Sequence, residues 1–440
     1  MGRTHEVTLP KTWDTVSAMP GTLYVEGVAP SAAMRDIELN LEYDENVDGE
    51  NKDIFKCSDK VKLTAVKIEV RKIWFNYKQD SAIDDALNIR MAYDENLPLP
   101  EYVRDMSNYP VAYIRNTVAK IKVSFSIAPS SISSAKIYGL SDDDNGSLGD
   151  ALERSVAFAS GVSQSTSPTG GNSEFVEFEL AGQTPSTVFK SVDSWTWGFS
   201  EVDGLNVSSL GLVSDHTSGH VIYTLWDYPK APWTQTANSS QNPWVSALSF
   251  AIETAGCSGK NDFNSMKEIT QYLHSGHGLT YDTTSGSPLY YTATAAAVFS
   301  LSEYIGKTSG SVVNCYDQAS GVVSLATALG LEAYFLYMTP FGYINSLNLV
   351  GVGLCNNPFY MSNGTSPNVD PDLILPLRVP FGNHAFALCN GIIFDACAGP
   401  CLGESLELYL AEAIDVSTSP EAAHAGDVED ICIVPLVYLR

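Results

Sequence analysis

The chain has 440 residues, with 25 Lys plus Arg against 51 Asp plus Glu and a formal charge of −26. At about 100–200 residues per domain that length accommodates two to four domains, and 44% hydrophobic with 17% charged residues is a globular composition. So acidic a balance excludes nucleic acid and anionic membrane surfaces as partners, since both demand a basic face, and no window reaches the roughly 20 uninterrupted apolar residues of a membrane-spanning helix.

Residues 1–13 lack the apolar stretch of a signal peptide, which leaves the compartment open. Residues 23–28, 36–43 and 61–77 alternate apolar and polar side chains, with β-branched and aromatic enrichment, and are expected to be strands. Between the last two lies an acidic loop. Its Asp44, Asn46 and Asp48, followed by Gly49, match the first half of a calcium loop, yet Phe55 stands where the closing Glu belongs. A solvated acidic turn is therefore expected, with calcium as the secondary reading and no other metal or cofactor. Pro98, Pro100 and Pro110 punctuate residues 81–108, which read as a linker. Strand patterns resume at 111–129, 175–182, 194–199 and 219–228, separated by Ser-, Gly- and Asp-rich loops. This spacing points to all-β sandwich modules, one over 1–80 and a second over 81–229. Trp195, Trp197, Trp226, Trp233 and Trp244 are expected in cores rather than on a carbohydrate platform.

Helical periodicity takes over after about residue 230, at 243–257, 261–276 and 293–306, and strands return from about residue 332. His216/His220 and His274/His277 have ligand-like spacing but no acidic or Cys partners beside them, and are expected at the surface. Residues 311–330 carry a helix with its start written out. Asn314 is a good N-cap, Asp317 takes the third helical position as in a capping box, and Gly330 ends the run. Cys315 then falls at the first helical residue, where the helix dipole and free N–H groups favour thiolate over thiol.

The second chemical segment is residues 382–400. Apolar residues flank Asn390-Gly391, a strong signal for a two-residue type I′ hairpin. Such a turn pairs His384 with Cys397 and Phe386 with Asp395, and sets His384 and Asp395 on one face as diagonal neighbours, their Cβ atoms about 7–8 Å apart. A carboxylate there fixes the tautomer of the imidazole and stabilises its charged form. Cys397 is the rival nucleophile, ranked lower because a strand offers no helix dipole. Cys397 and Cys401 are close enough in sequence to pair with each other or with Cys355, and Cys389 is a less obvious partner.

Cys-x-Asp-x-Ala opening a helix, His-Ala-aromatic on a strand and Asp-Ala on the next together resemble the transglutaminase-like core of papain-like cysteine enzymes. The resemblance spans about residues 240–400, and the helices before it with Tyr281-Asp282 are similar to the family's lead-in. Gln318 departs from it, standing where the family often has an aromatic. The resemblance implies an α+β, papain-like/transglutaminase-like catalytic domain over 230–440, preceded by all-β sandwich domains. It implies a Cys315–His384–Asp395 triad acting on protein or peptide amides through a thioester, with no cofactor. Hydrolysis is preferred, because nothing in the sequence specifies an amine site. The alternatives are a protein-crosslinking transglutaminase and a non-catalytic structural or binding protein. Backbone N–H groups at the helix start, that of Cys315 among them, are the natural oxyanion donors, and Trp244 and Asn242 are candidates for a second. The β modules would bind substrate or place the enzyme on a surface or larger assembly.

Overall fold

Two periods organise the molecule, strand alternation before residue 226 and a mixture of helix and strand after it. The computed structural model describes residues 35–45, 53–63, 66–79, 85–128, 130–142, 148–159, 171–206, 215–217, 219–235, 242–293, 297–345, 347–359, 379–415, 431–433 and 438–439. Strands dominate, and their pairing is largely antiparallel. Among the described residues, no helix is long and apolar enough to cross a membrane.

Strands Arg35–Glu45 and Asp53–Leu63 form an antiparallel hairpin, with Asp44 opposite Ile54 and Tyr43 opposite Phe55. The expected strand at 23–28 lies outside the described residues, as do Asn46 and Asp48 of the calcium reading. The run read as one strand over 61–77 is two elements. Strand Lys67–Trp74 leaves the hairpin to pair with Lys120–Ala128 in an 11-stranded sheet. A bulge between Val70 and Lys72 shifts its phase, so that Ile68 and Val70 before it and Ile73 after it all point inward.

Residues 85–108 are built into the fold, in contrast to the linker expected there. Leu87 and Ile89 enter a core, and strand Tyr102–Val103 pairs with Lys72 and Ile73. The buried Glu101 carboxylate accepts the N–H groups of Phe75 at 2.9 Å and Asn76 at 3.1 Å. Local Pro content was a poor guide because these contacts join residues about 25 positions apart. The sheet thus runs through the division expected at residues 80/81.

A three-stranded sheet, Phe189–Asp193, His220–Leu225 and Val111–Ile114, joins the two halves of the molecule. Val111, Tyr113 and Ile222 face the core of the β-sheets, with Phe125, Trp195 and Trp197. Ala112, Tyr223 and Leu225, one step out of phase, face the larger core of the second half. Apolar residues at successive positions are what a sheet buried on both faces requires.

Helix α1 (Val245–Ser249) runs directly into a π turn at Phe250–Thr254, and α2 (Asp262–Gln271) into another at Tyr272–Gly276. Helix α3 covers only Leu301–Gly306, whereas a helix was expected from 293. Ala297–Phe299 instead pairs with Tyr291–Ala293 and, in parallel, with Tyr438–Leu439, a partner about 140 residues away. Helix α4 (Cys315–Ala328) is buried on almost every face. It packs on a five-stranded antiparallel sheet ordered Cys401–Ser405, Ile392–Asp395, His384–Cys389, Ala333–Met338 and Ile431–Ile433. Helix α5 (Leu406–Ala413) starts at Ser405, whose Oγ accepts the N–H of Leu408 at 3.2 Å. Where α4 ends, Gly330 adopts φ +86°, and its Cα lies so close to Asp227 that a Cβ would sit 2.1 Å from the Asp227 carbonyl oxygen. Trp226 N–H donates to Leu329 O there at 2.9 Å, tying the end of the β half to the central helix.

Candidate active site

The start of α4 is fixed twice over. Asn314 Oδ1 accepts the N–H groups of Tyr316 at 2.9 Å and Asp317 at 3.3 Å, and Asp317 Oδ2 accepts the N–H of Asn314 at 3.2 Å, closing a capping box. The Asp317 carboxylate also reaches outside its helix. It accepts the N–H groups of Leu289 at 2.8 Å, Tyr290 at 2.8 Å and Tyr291 at 2.7 Å. Burial pushes its pKa up against these donors. Asn314 Nδ2 donates to Gly286 O at 2.8 Å, and the Asp282 carboxylate organises the loop in between through Thr284, Ser285 and Ser287. The chain before the helix is thereby held against the start of α4. Cys315 is the first residue of α4, a position whose N–H takes no part in the helix's own hydrogen bonding.

The hairpin forms in the expected register. Asn390 and Gly391 adopt φ +51° and +80°, as a type I′ turn requires, and Cys389 pairs with Ile392, Leu388 with Ile393 and Ala387 with Phe394. Pairing does not extend to residues 384–386, but His384 and Asp395 meet, Nε2 to Oδ2, at 2.8 Å. Both are wholly buried. Asp395 Oδ1 accepts the N–H groups of Cys397 at 2.7 Å and Ala398 at 3.2 Å, and Oδ2 also accepts the hydroxyl of Tyr409 at 2.8 Å.

Cys315 lies near enough to the imidazole to favour its charged form. Nε2 is committed to Asp395, and Nδ1 is buried without a hydrogen-bond partner among the described residues. Catalytic hydrogen bonds are commonly loose before substrate arrives. Burial disfavours an imidazolium at His384, but the Asp395 carboxylate and the Cys315 sulfur outweigh it and push the pKa up to about 10. Burial likewise opposes ionisation of Asp395, yet the His384 cation and the N–H and O–H donors hold its pKa below the ordinary value. Phe341, Phe381 and Phe386 surround the imidazole with ring centroids 4.7, 5.7 and 6.0 Å away. Aromatic faces favour a cation at this range. Cys315 is buried, with 4% of the residue exposed.

Cys397 stands beside the site, its N–H on Asp395 Oδ1. Cys397 is fully buried, and burial followed by the Asp395 charge drives its thiol pKa well up, so it stays a neutral thiol. Cys257, Cys315, Cys355, Cys389, Cys397 and Cys401 are all free thiols. Trp244 is buried, packing edge-on against Trp233 and Tyr93, and Asn242 turns the chain just before it at φ +80°. No group of three or more metal-ligating side chains gathers among the described residues.

The histidines expected at the surface are in the interior. His220 Nδ1 pairs with Asn108 Oδ1 at 2.9 Å, His274 Nδ1 with Ala396 O at 3.1 Å, and His277 Nε2 with Tyr304 O at 2.9 Å. Each has found a nearby acceptor, and burial lowers all three pKa values, His220 to about 3, so they are neutral core side chains. The side chain of His216 lies outside the described residues.

Two further side chains shape the site, Gln318, noted in the sequence only as a departure from the family pattern, and Tyr409, which no sequence feature marks. Gln318 is fully buried, donating from Nε2 to Leu273 O at 3.1 Å and Ala396 O at 3.0 Å while its Oε1 accepts the Tyr304 hydroxyl. That satisfied set explains how a polar side chain is buried here, and it braces the residue after Asp395. Tyr409 approaches Asp395 from α5, fourteen residues downstream. Nothing in the spacing marks it, because the contact depends on how α5 packs across the sheet.

No protein-family model matches the chain, and no curated protein matches it. Among solved structures the chain is similar to red sea bream transglutaminase, with 10% identity and a TM-score of 0.32 over 68% of this chain and 52% of that one. It thus spans about half the length of that transglutaminase, and a likeness of this size identifies no family.

Proposed function

We propose that the chain is a cysteine-dependent acyl-transfer enzyme that hydrolyses protein or peptide amides through a thioester, with Cys315 as nucleophile, His384 as acid and base, and Asp395 as its orienting carboxylate. Residues 230–440 are, in this reading, a papain-like, transglutaminase-like catalytic domain, and the β-rich part before it binds substrate or places the enzyme on a surface or assembly. The observation that carries the reading is the wholly buried His384–Asp395 pair against a thiol at a helix start. Burying an ionic pair is costly, and here the donors around Asp395 and the cation-favouring aromatic rings offset that cost.

The chemistry follows from the geometry. The Cys315 thiolate attacks the carbonyl carbon and a C–S bond forms, while the N–H of Cys315 donates to the developing oxyanion. As the C–N bond breaks, the Nδ1 proton of His384 passes to the departing amine. Water then attacks the thioester, giving a proton to Nδ1. The acid leaves, and the thiolate–imidazolium pair is restored. Hydrolysis is favoured over transamidation because nothing in the sequence specifies an amine site.

The test is acyl trapping. An N-blocked glutamine p-nitrophenyl ester is expected to release one nitrophenolate per chain in a burst and to leave a mass adduct on Cys315. The Cys315→Ala chain should show neither, with its melting temperature unchanged. Capture of the acyl group by an added primary amine in preference to water would favour crosslinking. Absence of any Cys315 adduct, when the denatured chain is readily alkylated, would favour a binding module.

A further inference from the structure

The Asp395 carboxylate has about four lone-pair sites, and all four are taken. Cys397 and Ala398 N–H fill Oδ1, while His384 Nε2–H and Tyr409 O–H share Oδ2 at 2.8 Å each. Tyr409 is 2% exposed, its ring lies 4.9 Å from that of Phe386 on the His384 strand, and its hydroxyl is held at the carboxylate from the fourth residue of the Ser405-capped helix α5. Burial and the adjacent carboxylate keep the phenol protonated, so it acts only as a donor here.

We propose that Tyr409 is a positioning residue of this site, whose hydroxyl competes with His384 Nε2–H for Asp395 Oδ2 and so sets how readily the imidazolium releases its Nδ1 proton to a leaving amine. The inference rests on the acyl-transfer reading above. Two donors on one oxygen divide its electron density. With the hydroxyl gone, Asp395 holds Nε2–H more strongly, the imidazolium becomes a poorer acid, and amine departure slows. An ester with a nitrophenolate leaving group needs no proton, so its acylation is largely spared. Other titratable groups acting on this carboxylate and phenol are His274, Cys397 and Cys401, and Cys315 faces the other side of His384. None of them changes in the test.

The experiment compares acylation by a glutaminyl anilide and the matching p-nitrophenyl ester, for the wild-type chain and Tyr409→Phe, across pH. The expected result is an amide rate that falls about tenfold more than the ester rate, with the alkaline limb of the amide profile moved upward and the His384 Nε2–H resonance moved downfield. Placing 3-fluorotyrosine at position 409, a stronger donor of nearly the same shape, should move limb and resonance the opposite way. That second variant decides the matter should Tyr409→Phe fail to fold. Equal losses for amide and ester with an unmoved alkaline limb, or fluorination without effect, overturn the role of Tyr409 alone. A wild-type chain that forms no ester-derived adduct on Cys315 overturns the acyl-transfer reading, and this role with it.

Discussion

Replacing Asp317 with Asn keeps the side-chain shape and removes one acceptor. The carboxylate receives four N–H groups, two at Oδ1 from Tyr290 and Tyr291 and two at Oδ2 from the part-buried Leu289 and from Asn314. An amide oxygen can keep the Oδ1 pair, but its NH₂ then points at the N–H groups of Leu289 and Asn314. A buried donor left unsatisfied costs about 1–3 kcal/mol, which applies in full to Asn314 and in part to the half-exposed Leu289. The variant regains part of this because it no longer buries a charge, which burial already disfavours at Asp317. A net loss of about 3 kcal/mol follows, or a fall in melting temperature of about 6–12 °C for a unit of roughly 200 residues. The loss is local first. Amide exchange at 289–291 and 314 should accelerate about a hundredfold, while exchange in the 120–128 strand stays as in the wild type. Iodoacetamide labelling of Cys315 should change with it, since these bonds hold the chain against the start of α4. A melting change under about 1 kcal/mol, or unchanged protection at 289–291, would refute the view that one carboxylate clamps this segment.

Three further outcomes are expected. Asp395→Asn turns a donor toward His384 Nε2 and forces the proton to Nδ1, so alkylation of Cys315 should slow roughly 10²–10⁴-fold; a rate within twofold of the wild type would contradict the assigned pairing. Burial holds Glu101 at a pKa of about 7 against an ordinary 4.5. The folded state therefore binds this proton more tightly, and the stability it contributes is full below about pH 4.5 and lost as pH rises through 7, about 3 kcal/mol in all. Denaturant melts of Glu101→Gln should lose that slope relative to the wild type between pH 4.5 and 8, whatever their absolute offset, and parallel curves would defeat the assignment. Gly330→Ala would drive a Cβ to 2.1 Å from backbone at φ +86°, whereas Gly204→Ala meets open space at φ +79°. The first should cost at least about 3 kcal/mol and the second about 1–2; equal costs would mean that conformation, and not the contact with Asp227, decides.

What the sequence determined by itself is local and periodic. Asn390-Gly391 admits a tight type I′ turn, and a period of two then fixes which residues share a face, so the meeting of His384 and Asp395 was legible before any packing was known. The capping pattern at Asn314 and Asp317 likewise set Cys315 at a helix start, because cap geometry needs only neighbours within one turn. Tertiary structure decided everything that depends on distant partners. Ala297–Phe299 became strand because Tyr438–Leu439 lies beside it, and the proline-punctuated 85–108 became core because Glu101 serves the backbone at 75–76. The buried histidines found carbonyl or amide acceptors that no spacing reveals. Gln318 and Tyr409 reached the neighbourhood of Asp395 through packing of whole helices. A side chain's hydrogen-bond partner across a core is a property of the assembled fold, since the desolvation that makes the partner obligatory exists only once the fold has formed.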